Sequence, residues 1–123
     1  MTKFIKVLTA GLIAMVAIGS LSACSTSEPL DMSTIAAVVD VRTPSEFAEG
    51  HLDGALNIDW QGSKFAAEIS TLDPAADYVI YCRSGNRAGQ AISYMQSNGF
   101  TGTLTNGGGL ADASSLTGIA IVQ

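Results

Sequence analysis

One stretch limits the possible folds of this chain more than any other. Tyr78-Val79-Ile80-Tyr81 is an apolar run of strand formers. It leads without a break into Cys82-Arg83-Ser84-Gly85-Asn86-Arg87. Beyond Arg87, Ala88, Ala91, Ile92 and Met95 recur at helical spacing, and Gly99 ends the pattern. A buried strand, a short glycine-containing loop and the start of a helix therefore follow one another, with a cysteine at the junction. The N-terminus of a helix carries partial positive charge and unpaired N–H groups. Two arginines lie within five residues of the sulfur. These influences together favour a thiolate over a thiol at Cys82.

The other periodic segments give the same kind of architecture. Residues 37–41 form a buried-strand candidate. Thr43-Pro44-Ser45-Glu46 carries a helix start, with Thr43 as N-cap, Pro44 in the first turn and Glu46 closing a capping box. Gly50 stops that helix. Residues 55–58 and 101–105 have strand character. Residues 63–71 form a short helix with Phe65, Ile69 and Leu72 on one side, and residues 110–116 a weak one. An apolar tail follows at 119–122. Strands alternating with helices predict an α/β domain with a mainly parallel central sheet and helices on both faces. Functional sites in such sheets form beyond the carboxyl ends of the strands, where the Cys82 loop falls.

The first residues have a different character. Lys3 and Lys6 precede an apolar stretch at 7–18 and a small-residue segment, Leu21-Ser22-Ala23-Cys24. That is the layout of a secretory signal peptide, and the apolar run is too short to span a membrane. Leu21-Ser22-Ala23-Cys24 also resembles the lipobox of bacterial lipoproteins. The resemblance implies cleavage before Cys24 and a lipid on its sulfur, which would anchor the exported domain to a membrane facing the periplasm or the cell exterior. The expected organisation is a lipoprotein signal peptide over 1–23, a lipidated tether over 24–33 and one domain over 34–123. The chain has two cysteines, so Cys82 is the only one in the domain. Structural cysteines of exported proteins usually pair, which makes a lone thiol conspicuous.

Charge narrows the partners. The net charge is −5. Without Lys3 and Lys6, four basic residues stand against eleven acidic ones, a balance of −7 that argues against nucleic acid. The four are Arg42, Lys64, Arg83 and Arg87, and two of them flank the sulfur. That local excess suits an anionic ligand. Arg87 opens a helix, where a cation needs a carboxylate partner, and Asp40 and Glu46 are the candidates. Asp40 is expected to bond loop backbone near a strand end, while capping alone accounts for Glu46. His51 is the only histidine and reads as structural, since a metal site needs several ligands. Trp60 reads as core or rim.

Two long blocks, from Asp40-Val41-Arg42-Thr43-Pro44-Ser45-Glu46-Phe47 through Gly50-His51-Leu52-Asp53-Gly54-Ala55-Leu56-Asn57-Ile58, and Tyr81-Cys82-Arg83-Ser84-Gly85-Asn86-Arg87-Ala88, resemble the rhodanese family of sulfurtransferases in its single-domain form. Asn106-Gly107-Gly108 is a weaker match to a segment that borders the family's active-site crevice. The chain departs from the family in two places. The segment before Val38 is short, and Leu110-Ala111-Asp112-Ala113 replaces the usual tryptophan after the Gly-Gly turn. The resemblance implies that Cys82 is the nucleophile and carries a persulfide, with Arg83, Ser84, Gly85, Asn86 and Arg87 as an anion-binding loop. It implies a small sulfur anion such as thiosulfate as donor, a thiol or cyanide as acceptor, and no cofactor or metal. The six-residue loop is the family's own length, whereas phosphatase and arsenate-reductase relatives use seven. Two uses of the fold stay open: a turning-over sulfurtransferase, or a persulfide carrier or docking module that does not turn over.

Overall fold

The computed structural model describes residues 30–123. The expected signal peptide over 1–23 and the expected lipidation at Cys24 lie outside the described residues. Within them, the end of the expected tether lies against the domain. The Leu30 N–H donates to the Leu116 carbonyl at 2.7 Å, and Met32–Thr34 makes one 3-10 turn capped by Asp31. Leu30 and Met32 are apolar and pack on the sheet, which explains why this polar-looking stretch does not stand off the domain.

The central sheet is four-stranded and wholly parallel. β1 (Ile35–Asp40), β3 (Leu56–Asn57), β4 (Asp77–Tyr81) and β5 (Leu104–Asn106) stand in the order β3-β1-β4-β5. β1 and β4 run side by side with Val39 opposite Ile80 and Asp40 opposite Tyr81. The period-2 alternation of a strand then sorts side chains to two faces. Val39, Val41, Tyr78, Ile80 and Cys82 join one core, closed by Phe65 and Ile69 of α2 (Phe65–Ile69) and by Ala88, Ala91 and Met95 of α3 (Asn86–Ser97). Val38, Val79 and Tyr81 face the other, closed by Leu52 and by Ala113 of α4 (Leu110–Thr117). β4 is covered on both sides, as its unbroken apolar run requires. This is the expected α/β architecture.

α1 (Pro44–Glu49) begins as its residues dictate. Thr43 is the N-cap, Pro44 opens the helix and both arms of the capping box are made. Other boundaries move. α2 is shorter than residues 63–71, because only Phe65 to Ile69 complete helical turns against the core. The last parallel strand starts at Leu104 instead of 101. Ahead of it, Phe100 drops into the core and Thr101 and Gly102 donate to the Pro74 carbonyl. Gly102 packs so closely on the Ala76 carbonyl that a Cβ has no room. The apolar tail forms β6 (Ile121–Val122), which pairs antiparallel with β2 (His51–Leu52). This small sheet of two two-residue strands stands apart from the central one.

Candidate active site

Cys82 is the first residue beyond β4, at the carboxyl edge of the sheet, and is 1% exposed. Its own N–H donates to the Gly108 carbonyl at 2.9 Å, which ties it to the glycine turn after β5. Three residues on, Gly85 adopts a left-handed backbone with φ of 97°, a conformation open to glycine without a Cβ penalty. The chain therefore curls back over the sulfur. The Gly85 N–H donates to Cys82 Sγ at 2.9 Å and the Ala88 N–H does so at 3.4 Å. α3 has no side-chain oxygen at its N-cap. The sulfur stands where a capping oxygen would, and takes up an N–H group of the first turn that would otherwise be unpaired. A sulfur held by backbone donors at a helix N-terminus is the arrangement that stabilises negative charge on sulfur.

The charged residues divide into two sets. Glu46 binds Arg87 through both oxygens, Nη1 to Oε1 at 2.9 Å and Nη2 to Oε2 at 3.1 Å. The same carboxylate accepts the Thr43 N–H at 3.0 Å and its hydroxyl at 3.1 Å. Arg87 and then Thr43 hold the Glu46 carboxyl down to about 2, against desolvation that pushes the other way. Glu46 in turn raises Arg87 above its ordinary range. Glu46 is thus a brace between α1 and α3 as well as a cap, so capping alone does not account for it. Arg83 lies 3.6 Å from Glu46 with its side chain 77% exposed, and a contact that long and wet restrains it little.

Asp40 bonds backbone just past its strand end, as expected, but that backbone is Arg42's and not the Cys82 loop's, so Asp40 does not support the loop. Fully buried, it pairs with Arg42 at 2.6 Å and accepts the Arg42 N–H at 2.8 Å. Arg42 also donates to the Gly50 carbonyl and lies 5.7 Å from the centre of the Tyr81 ring. Asn57 donates to the Asp40 and Arg42 carbonyls, and the Leu52 N–H donates to the Tyr81 hydroxyl. This buried polar frame joins β1, β2, β3 and β4 near the carboxyl ends of β1 and β4. The backbone turns at Asp40 so that its carboxylate meets the guanidinium two residues on, a geometry that spacing alone does not reveal.

Of the loop residues, Arg83, Ser84 and Asn86 are exposed, while Gly85 and Arg87 are half-buried. His51 stacks on Phe47 with ring centroids 3.7 Å apart, and its Nδ1 lies 2.8 Å from the Phe47 carbonyl. Trp60 is half-buried over Phe65 and donates to Gln90 at 3.1 Å. A cleft of ≈ 350 Å³ lies beside the site, between Pro44, Asn57, Asp59, Lys64 and Glu68, and neither Cys82 nor any other residue of its loop lines it. Asn106, whose amide donates to the Gly85 carbonyl, is not among the site residues expected from sequence. Its signals are the weak match of Asn106-Gly107-Gly108 and an asparagine ahead of consecutive glycines, which usually does no more than make its own turn.

A family model described as a rhodanese-like domain matches residues 25–114. A sulfurtransferase of Allochromatium vinosum is 37% identical over 73 residues, 59% of this chain and 66% of that protein. The thiosulfate sulfurtransferase PspE of Escherichia coli is 32% identical over 74 residues, 60% of this chain and 70% of its own length. The chain thus spans about two thirds of the length of these relatives. Among solved structures, an E. coli rhodanese with anions superposes with a TM-score of 0.57 at 28% identity, over 71% of this chain and 96% of that one.

Proposed function

The chain belongs to the rhodanese-like domain family, and from that premise we propose that it is a sulfurtransferase working through a persulfide on Cys82. The observation that carries the reading is the pair of backbone N–H groups on Cys82 Sγ at the start of α3. The Cys82 thiolate attacks the outer sulfur of thiosulfate. The donor's S–S bond breaks, its electron pair leaves on sulfite, and Cys82 keeps the sulfur as a persulfide anion. An acceptor thiolate, or cyanide in an assay, attacks that outer sulfur and returns the Cys82 thiolate. Electrons and charge balance at each step without a cofactor. The loop donors stabilise the charge on sulfur. Arg83, exposed and weakly held, meets the anionic donor, while Arg87 is committed to Glu46. Relatives named as thiosulfate sulfurtransferases support the donor class.

The same proposal includes location. The segment from Lys3 to Cys24 supports export and lipid anchoring, so that sulfur transfer takes place outside the cytoplasm. Burial of Cys82 favours a second form of the reading, in which the protein holds persulfide for a docked partner and turns over slowly with small acceptors.

The test is intact mass spectrometry of the full chain in detergent, before and after thiosulfate, beside a thiosulfate:cyanide rate assay. One added sulfur at Cys82 with thiocyanate production establishes the enzyme, and Cys82→Ser abolishes both. Added sulfur without turnover leaves the carrier. No added sulfur on a folded, reduced protein overturns the reading. The mass of the N-terminal fragment reports cleavage before Cys24 and its acylation.

A further inference from the structure

We infer that Asn106 is a positioning residue for the reactive sulfur, acting through Gly85. Its side chain lies between the loop and the glycine turn, and each end of its amide is engaged. Nδ2 donates to the Gly85 carbonyl at 3.0 Å, and Oδ1 accepts the Gly108 N–H at 2.9 Å. The two groups it joins are the two that frame Cys82. Gly108 gives its carbonyl to the Cys82 N–H, and Gly85 gives its N–H to Sγ.

The surrounding glycines show how close this seat is. A Cβ on Gly85 would meet the Gly108 Cα at 3.4 Å and Asn106 Oδ1 at 3.6 Å, and a Cβ on Gly89 would meet Nδ2 at 3.6 Å. Gly109 packs against the Arg83 carbonyl with no room for a side chain at all. The β5 turn and the Cys82 loop are thus backbone against backbone, and Asn106 supplies the side-chain bond across that seam.

The mechanism is conformational. Gly85 holds its left-handed backbone with no side chain of its own to lock it. Glycine also has more alternatives to lose than any other residue. A bond to its carbonyl fixes the peptide on one side of its Cα, and the N–H that reaches the sulfur belongs to the peptide on the other. The Gly85 carbonyl also accepts the Gly89 N–H of α3 at 3.0 Å, so without Asn106 that helical bond alone holds this peptide, and the shorter of the two bonds to Sγ loosens. The Asn106 amide bonds only the Gly85 carbonyl and the Gly108 N–H, not the sulfur or Arg83, so its effect falls on the sulfur step and not on donor binding.

This inference rests on the sulfurtransferase reading for its consequence, but it is measurable without it. The variants are Asn106→Ala, which removes both bonds, and Asn106→Asp, which keeps an acceptor for Gly108 and has no donor for Gly85. Three readouts are taken on the full chain in detergent. They are alkylation of Cys82 by iodoacetamide, sulfur loading from thiosulfate, and the Gly85 amide signal in ¹H–¹⁵N spectra. Loss of one positioning bond predicts that both variants alkylate and load roughly 3- to 10-fold more slowly. KM for thiosulfate stays within about twofold, and the Gly85 amide shifts and exchanges faster. Asn106→Asp behaving like wild type would overturn the inference, because the bond to Gly85 would then carry no weight. Rates that fall only in proportion to lost folded protein, with the Gly85 amide unmoved in the remainder, would do the same. If the wild type takes up no sulfur, the functional reading fails, while alkylation and the amide signal still decide the role of Asn106.

Discussion

At the scale of single residues, Glu46 does the most with one side chain. It caps α1, braces Arg87 and lies within reach of Arg83. Charge and cap are separable, because glutamine also closes a capping box. Glu46→Gln keeps the cap and removes the ion pair. The Glu46 carboxyl is depressed from 4.5 to about 2 in the folded protein, so unfolding at low pH takes up a proton there. Its contribution is complete above the unfolded value and disappears as pH falls from about 4.5 toward 2. The expected result is a melting-temperature gap between wild type and Glu46→Gln that is flat above about pH 5.5 and closes on acidification. A gap that persists unchanged at pH 2 would show that packing, not charge, holds this corner.

At the scale of elements, α3 carries a cost along its length. Gly89 lies within its second turn, where glycine is less stable than alanine by about 1 kcal/mol. Its φ is not left-handed, and a Cβ would come no nearer than ordinary van der Waals contact with Asn106. Gly89→Ala therefore raises stability by about 1 kcal/mol, or roughly 4–8 °C in melting temperature for a domain of this size, read by circular dichroism. Gly85 is the opposite case. It is left-handed and precedes the helix, so a side chain there is strained although a Cβ would meet Gly108 only at contact distance. The two glycines of the same segment respond to substitution in opposite directions for these local reasons.

At the scale of the whole molecule, the buried Asp40–Arg42 pair ties the strands into one frame. Asp40 is fully buried and Arg42 nearly so. Arg42→Met leaves a carboxylate in the interior with its ion partner gone and the Gly50 carbonyl without its donor. The expected loss is about 3–5 kcal/mol in urea denaturation. Replacing Asp40 with Asn in the same chain removes the stranded charge and recovers part of that loss, so the two substitutions are not additive. Full additivity would mean that the pair is not coupled. None of the frame's side-chain hydrogen bonds reaches residues 82–87, so the damage falls on stability first.

Much of this architecture could be read from residue order alone, because it depends on short-range physics. The apolar run at Tyr78–Tyr81 could satisfy its side chains only as a strand covered on both faces. Thr43-Pro44-Ser45-Glu46 stops and starts the chain through bonds within four residues. Periodicity carried α3, and the junction after β4 placed the cysteine beside a helix start. Tertiary structure decided every relation that spans distant segments. It chose Glu46 over Asp40 as the partner of Arg87, forty-one residues away. It turned Asp40 inward to Arg42, paired the two-residue strands β2 and β6, and set Asn106 against Gly85. Each of those contacts depends on the register of β1, β4 and β5 and on which way a short side chain points at a strand end. No local spacing encodes that register, because it follows from packing the whole sheet at once.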